Sequence, residues 1–76
     1  MLSKQSKLSF FWKNVLPLIC ENFACEVIQD WQHRFYTQQW GRIDYFPISG
    51  KLYFLDKDHW KRGGLKWITE NLITNK

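Results

Sequence analysis

The sequence predicts an α+β domain of order αβββα, a three-stranded antiparallel sheet with both helices on one face. Three observations predict it. Apolar residues recur at steps of three and four from Leu8 to Trp31. From Arg34 the period changes to two, through the aromatic and β-branched stretches RFYTQ, RIDYF and KLYFL. After Gly64 the spacing of Leu65, Ile68 and Leu72 returns to helical. Two amphipathic helices and a meander with one apolar face bury most surface when both helices cover that face. The 76 residues have room for one core, with residues 1–7 and 74–76 expected to fray. So short a chain buries a small share of its surface. Five Trp, three Tyr and six Phe offset this, and they mark a folded chain rather than a disordered one.

The first apolar stripe comprises Leu8, Phe11, Trp12, Val15, Leu16, Ile19, Cys20, Phe23, Val27 and Trp31. Pro17 lies within it and lacks the N–H that a helix interior requires. The helix is therefore kinked or split there: a short helix to about Leu16, then a main helix from about Pro17 to Asp30, with proline in its first turn. In CEVIQDW, however, Cys25, Val27, Gln29 and Trp31 also alternate, so residues 25–31 read as helix or as strand.

The sheet follows. PISG, residues 47–50, separates the last two strands and suits a four-residue hairpin loop with Gly50 in the left-handed region. That length sets Phe46 opposite Lys51, Tyr45 opposite Leu52, Asp44 opposite Tyr53 and Ile43 opposite Phe54. Ile43, Tyr45, Leu52 and Phe54 then share a core face. A three-residue loop would bring Asp44 to the face of Leu52, so the longer loop is preferred. A three-residue turn at Gln39–Gly41 adds Phe35 and Thr37 to the core and Tyr36 and Gln38 to the outer face. DKDHWKRGG reads as a loop, and LKWITENLI as the closing helix.

Formal charge is +4, unevenly spread. Lys4, Lys7 and Lys13 have no acid among residues 1–13. Glu21, Glu26 and Asp30 have no base among residues 21–30 and read as a solvated helix face. Lys57, Lys61, Arg62 and Lys66 face only Asp58. This balance admits nucleic acid, an acidic protein or an anionic membrane surface. No stretch is apolar and long enough to span a membrane. The Lys13–Asn14 interruption and the lack of a small-x-small cleavage site argue against a signal peptide. Cys20 and Cys25, five apart on a helix, point in different directions and read as reduced thiols, which places the chain in the cytoplasm. Cys20, Cys25, His33 and His59 lack metal-ligand spacing, nothing orients Cys25 with His33 as a nucleophile pair, and Asp44 and Asp56 show no acid–base spacing. No metal, no cofactor and no catalysis are expected.

Two surfaces remain. On the outer sheet face Tyr36, Phe46 and Tyr53 stand among Arg42, Lys51 and Gln38. Flat rings on a rigid sheet are stacking platforms for unpaired bases, and the cations suit phosphates. The second surface is the loop and helix start formed by Lys57, Lys61, Arg62, Gly63, Gly64 and Lys66. A helix N-terminus with no Ser, Thr or Asp cap exposes N–H groups, and two glycines would let an anion approach the backbone. Walker spacing is absent.

The order αβββα resembles that of the double-stranded RNA-binding domain. That likeness implies a basic cluster at the start of the last helix, where Lys61, Arg62 and Lys66 stand; the family's Gly-Pro-x-His loop is replaced by QWG. WGRIDYFPISGKL with LKWITENL also resembles short proteins of bacteriophages and their bacterial hosts, a likeness over about the C-terminal half that implies no particular activity. The expectation is a non-catalytic nucleic-acid-binding module. The alternative is a protein-binding module: a small phage-type protein that occupies a host protein, one with an acidic surface to meet its cations, or a homodimer through the sheet.

Overall fold

The computed structural model describes residues 4–73. Helix α1, residues 4–20, runs through Lys4–Phe10, a π-helical turn Phe11–Val15, and Leu16–Cys20. Five strands follow: β1 (Ala24–Gln29), β2 (Gln32–Thr37), β3 (Gly41–Phe46), β4 (Lys51–Phe54) and, after a 3-10 turn at Leu55–Lys57, β5 (His59–Lys61). Helix α2, residues 64–73, joins Gly64–Ile68 to a π-helical stretch Thr69–Ile73. The strands form one antiparallel meander in the order β1-β2-β3-β4-β5. The chain is thus α+β with two helices, but it has five strands where three are expected. The order αβββα, on which the likeness to double-stranded RNA-binding domains rests, is not the order observed.

Residues 4–7, expected to fray, belong to α1; residues 1–3 and 74–76 lie outside the described residues. The disruption at Pro17 takes the form of a π turn immediately before it. Leu16 donates its N–H to the Phe11 carbonyl, five residues back, in the wide ring that defines such a turn. The helix stays continuous because the widened turn relieves the crowding that a proline ring imposes on the turn before it.

The main helix from Pro17 to Asp30 is overturned. It stops at Cys20, where Asn22 and Phe23 both donate N–H to the Ile19 carbonyl (3.1 and 2.9 Å), and Ala24 opens β1. The alternation of Cys25, Val27 and Gln29 wins over the helical spacing because β1 can pair with β2, Cys25 opposite Phe35 and Val27 opposite His33. Glu21, Glu26 and Asp30 are therefore not one helix face. The two cysteines do not diverge either. The chain reverses between them, and burial together with the neighbouring Cys20 thiol pushes the Cys25 thiol up to about 12. Both are free thiols.

The β3–β4 register is the expected one, with Phe46, Tyr45, Asp44 and Ile43 opposite Lys51, Leu52, Tyr53 and Phe54. Gly50 takes φ +74° and donates its N–H to the Phe46 carbonyl at 2.7 Å, closing the loop. The β2–β3 turn occupies residues 38–40 rather than 39–41, with Thr37 opposite Gly41. Moving the turn by one residue moves the pairing by two, so every side chain keeps its face.

The core gathers Phe11, Val15, Leu16 and Ile19 of α1, Phe35, Ile43, Tyr45, Leu52 and Phe54 of the sheet, and Ile68 and Leu72 of α2. Each fully buried aliphatic or aromatic side chain stabilises by roughly 1.5–3 kcal/mol. The helices meet different parts of the sheet. Phe11 packs on His33, Phe35 and Tyr45 of β2 and β3, whereas Trp67 of α2 meets Phe54 edge-on at 5.2 Å and Trp40 at 5.0 Å. Two helices laid side by side over three strands give way to two helices distributed over five.

One buried group is polar. His33 is 0% exposed, with ring centroids 4.7 Å from Phe11 and 5.0 Å from Trp12. Its Nε2 lies 3.1 Å from the Asp30 carbonyl and serves as donor, which leaves Nδ1 a bare acceptor without a partner among the described residues. The ring is therefore neutral, and burial lowers its pKa below 6.5. The unfolded chain then binds the proton more readily. Stability is complete above about pH 6.5 and falls as pH drops from there toward the lowered folded value. Urea titrations at pH 7.5 and 5.5 should show a lower midpoint at 5.5, and His33→Leu should remove most of that difference. A midpoint independent of pH in the native chain would contradict the neutral assignment.

Candidate functional site

The outer face carries the side chains that alternate with the core: Glu26 of β1, Arg34 and Tyr36 of β2, Arg42, Asp44 and Phe46 of β3, Lys51 and Tyr53 of β4, and Trp60 of β5. The expected outward placement of Tyr36, Arg42, Phe46, Lys51 and Tyr53 follows from the observed register. The face is not uniform, however. It divides into a part closed by acids and a part left open.

At its centre Asp44 is 2% exposed. Arg34 grips it with two bonds, Nε to Oδ1 at 2.7 Å and Nη2 to Oδ2 at 3.1 Å, and Gln32 donates to Oδ2 at 2.8 Å. A carboxylate so covered is withdrawn from solvent and held by its neighbours. At one end of the sheet Arg42 is held by Asp56 (Nη2–Oδ1 2.7 Å, Nε–Oδ1 3.0 Å), whose Oδ2 also accepts from the Arg42 backbone N–H at 2.8 Å. These bonds hold the exposed Asp56 carboxyl below its usual range. Tyr36 donates to Glu26. Two residues expected to bind phosphate and base are thus engaged with acids, and Gln38 lies in the β2–β3 turn rather than on the sheet.

At the other end the rings join. Trp31 stacks on Phe46 with centroids 6.4 Å apart and planes 26° from parallel. Phe46 meets Trp60 at 5.6 Å, and Trp60 meets Tyr53 at 4.7 Å. Trp60 is 55% exposed and Trp31 47%. Tyr53 also donates its hydroxyl to Asp58, which anchors the far end of the row. Phe46, Ser49, Lys51, Trp60, Lys61 and Arg62 line one open depression of ≈ 510 Å³. Its side chains include three cations and no acid.

Trp31 and Trp60 were not among the expected site residues. Trp31 reads from sequence as the end of a helical stripe, and Trp60 as part of a loop. The signals that could have found them were the competing alternation of CEVIQDW and the continuation of period two in His59–Lys61 beyond the DKD turn. Trp60 stands opposite Tyr53.

The second expected surface is met in part. Lys61, Arg62, Gly63 and Lys66 line a shallow depression at the start of α2, together with Trp67 and Glu70. Lys61 and Arg62 are common to this depression and the aromatic one. Lys57 lies in the Leu55–Lys57 turn, beyond the opposite end of β5, and lines neither. Gly63 has φ +67° with open space around it. Gly64 is different: a Cβ there would lie 2.7 Å from Tyr45 Cε1 and 2.8 Å from the Gly50 carbonyl oxygen. Its N–H already donates to that oxygen at 2.8 Å. Its small size answers to packing of α2 on the hairpin, not to an approaching anion.

Among the described residues no three His, Cys, Asp or Glu side chains come together as a metal-binding group, and no helix is long and apolar enough to cross a membrane. Gly64→Ala should lower the urea midpoint by an amount equivalent to roughly 1–3 kcal/mol, the cost of overpacking a tight contact. Unchanged stability would return Gly64 to the anion-site reading. Comparison with protein-family models, with curated proteins and with solved structures finds no match for the chain.

Proposed function

We propose that this chain is a non-catalytic module that binds single-stranded nucleic acid across the open part of its outer sheet face. The observation that carries the reading is the unbroken row Trp31–Phe46–Trp60–Tyr53 running into Lys51, Lys61 and Arg62. Rings fixed on a sheet accept base faces without reordering, at roughly 1–3 kcal/mol per stacked base. A duplex hides those faces, so the row favours unpaired strands. Lys51, Lys61 and Arg62 neutralise phosphates beside the row, and Lys66 with the Gly63 backbone extends the basic rim. Tyr36 and Arg42, closed by Glu26 and Asp56, stand outside the binding surface, as do Lys57 and Gly64.

A second reading, docking of an acidic protein surface or of a second copy, is favoured by the exposure of Trp31 and Trp60, since tryptophan and arginine dominate protein interfaces. Salt and concentration separate the two. For single strands log K should fall with log salt at a slope of about −2, the value for three phosphate contacts. Trp60→Ala should weaken binding by about ten-fold or more on DNA and RNA strands alike. The double change of Lys61 and Arg62 to Ala should flatten the salt slope. Fluorescence anisotropy with labelled single-stranded and duplex probes measures all three. Equal, weak binding to every probe, with sedimentation showing self-association, would transfer the face to the second reading.

A further inference from the structure

The β3–β4 loop has two sides. Its outer side borders the aromatic depression; its inner side borders a separate groove between α1, the loop and α2. Lys7, Phe10, Phe11, Tyr45, Pro47 and Ile48, with Ser49, Gly50 and Leu65, enclose ≈ 410 Å³ there. That is within the roughly 300–1,000 Å³ of small-molecule sites. The walls are apolar, and Phe10 and Leu65 expose much of their side chains along it.

Three polar side chains, Tyr45, Lys7 and the exposed Ser49, interrupt the apolar lining. Tyr45 is 3% exposed, yet its hydroxyl has no hydrogen-bond partner among the described residues, and burial alone raises its pKa. It is not sealed from solvent either: among the described residues the one sealed side-chain polar atom without a partner is Nδ1 of His33. Tyr45 is one of the residues that line the groove. A phenol in an apolar wall ordinarily finds a partner, so this donor is unused. The second group is the Lys7 ammonium, which donates to the Ile48 carbonyl at 3.2 Å and has further hydrogens to give. Among the described residues no acid lines the groove.

We propose that this groove binds a small monocarboxylic acid with an apolar body, its carboxylate accepting from the Tyr45 hydroxyl and the Lys7 ammonium while its hydrocarbon lies against Phe10, Ile48 and Leu65. Charge complementarity selects the anion, because the described lining offers one cation, two neutral hydroxyls (Tyr45 and Ser49) and no carboxylate. The volume selects a small molecule over a helix or strand of a partner protein. The site lies on the helix side of the loop and is independent of the nucleic-acid reading.

The test uses octanoate, with 1-octanol as the uncharged control, titrated into the isotopically labelled full chain and followed by amide chemical shifts. Octanoate should shift Ile48, Gly50 and Leu65 saturably, and octanol should bind about ten-fold more weakly. Lys7→Gln and Tyr45→Phe should each weaken octanoate about five-fold and leave octanol unchanged. Should Tyr45→Phe fail to fold, Lys7→Gln, at a half-buried rim position, decides alone. No saturable shift, equal binding of acid and alcohol, unaffected binding by Lys7→Gln, or shifts centred on Trp31 and Trp60 would each overturn the proposal.

Discussion

The hairpin loop at residues 47–50 is the constraint on which the rest of this structure depends. A strand alternates its side chains with period two, so loop length alone decides which residues enter the core. Here the loop closes with the Gly50 N–H on the Phe46 carbonyl, and glycine supplies the positive φ that closure requires. One residue more or less would set Asp44 beside Leu52 and Phe54, or Lys51 beside Ile43 and Tyr45. The same loop also seats the second helix, because the Gly50 carbonyl accepts from Gly64 and leaves no room for a Cβ at that position. Core, ring row and helix placement thus share one backbone event.

Burial of Asp44 is the second organising feature. An isolated carboxylate removed from water is strongly disfavoured, and the sheet offsets this with Arg34 and Gln32 on its own outer face. The ion pair occupies the middle of that face. It separates a region where Arg42 and Tyr36 are bonded to Asp56 and Glu26 from one where Trp31, Phe46, Trp60 and Tyr53 pack ring on ring, only the Tyr53 hydroxyl meeting an acid, Asp58. The distinction between the two regions comes from how the arginines are paired, not from residue type: Arg34 and Arg42 are held by Asp44 and Asp56, whereas Arg62 lines the aromatic depression.

Legibility from sequence followed the same physics. The β3–β4 hairpin could be read because proline and glycine bracket its loop and only one register keeps Asp44 out of the core. Face assignment on β2 survived a misplaced turn, because a shift of one residue in the turn preserves parity. The strand β1 was hidden by a stripe that satisfied helical and strand periods at once, and tertiary pairing with β2 decided between them. Strand β5 was hidden by its length and its charges: His59–Lys61 carries the period of two for only three residues beyond the DKD turn and sits on an edge. Both missed strands border the aromatic row, which is why Trp31 and Trp60 escaped while Phe46 and Tyr53 did not. Gly64 was misread for another reason. A glycine required by packing and one required by a ligand look alike until the neighbouring atoms are known.

The central claim is that the open half of the outer face, not the acid-paired half or the groove behind the loop, is where single-stranded nucleic acid binds. Titration of the labelled protein with a short single-stranded oligonucleotide, read at the indole N–H signals, tests it most directly. The account predicts saturable shifts at Trp31 and Trp60, with Trp12, Trp40 and Trp67 unmoved. Indoles that all stay in place, or that move only at Trp12, Trp40 or Trp67, would contradict it.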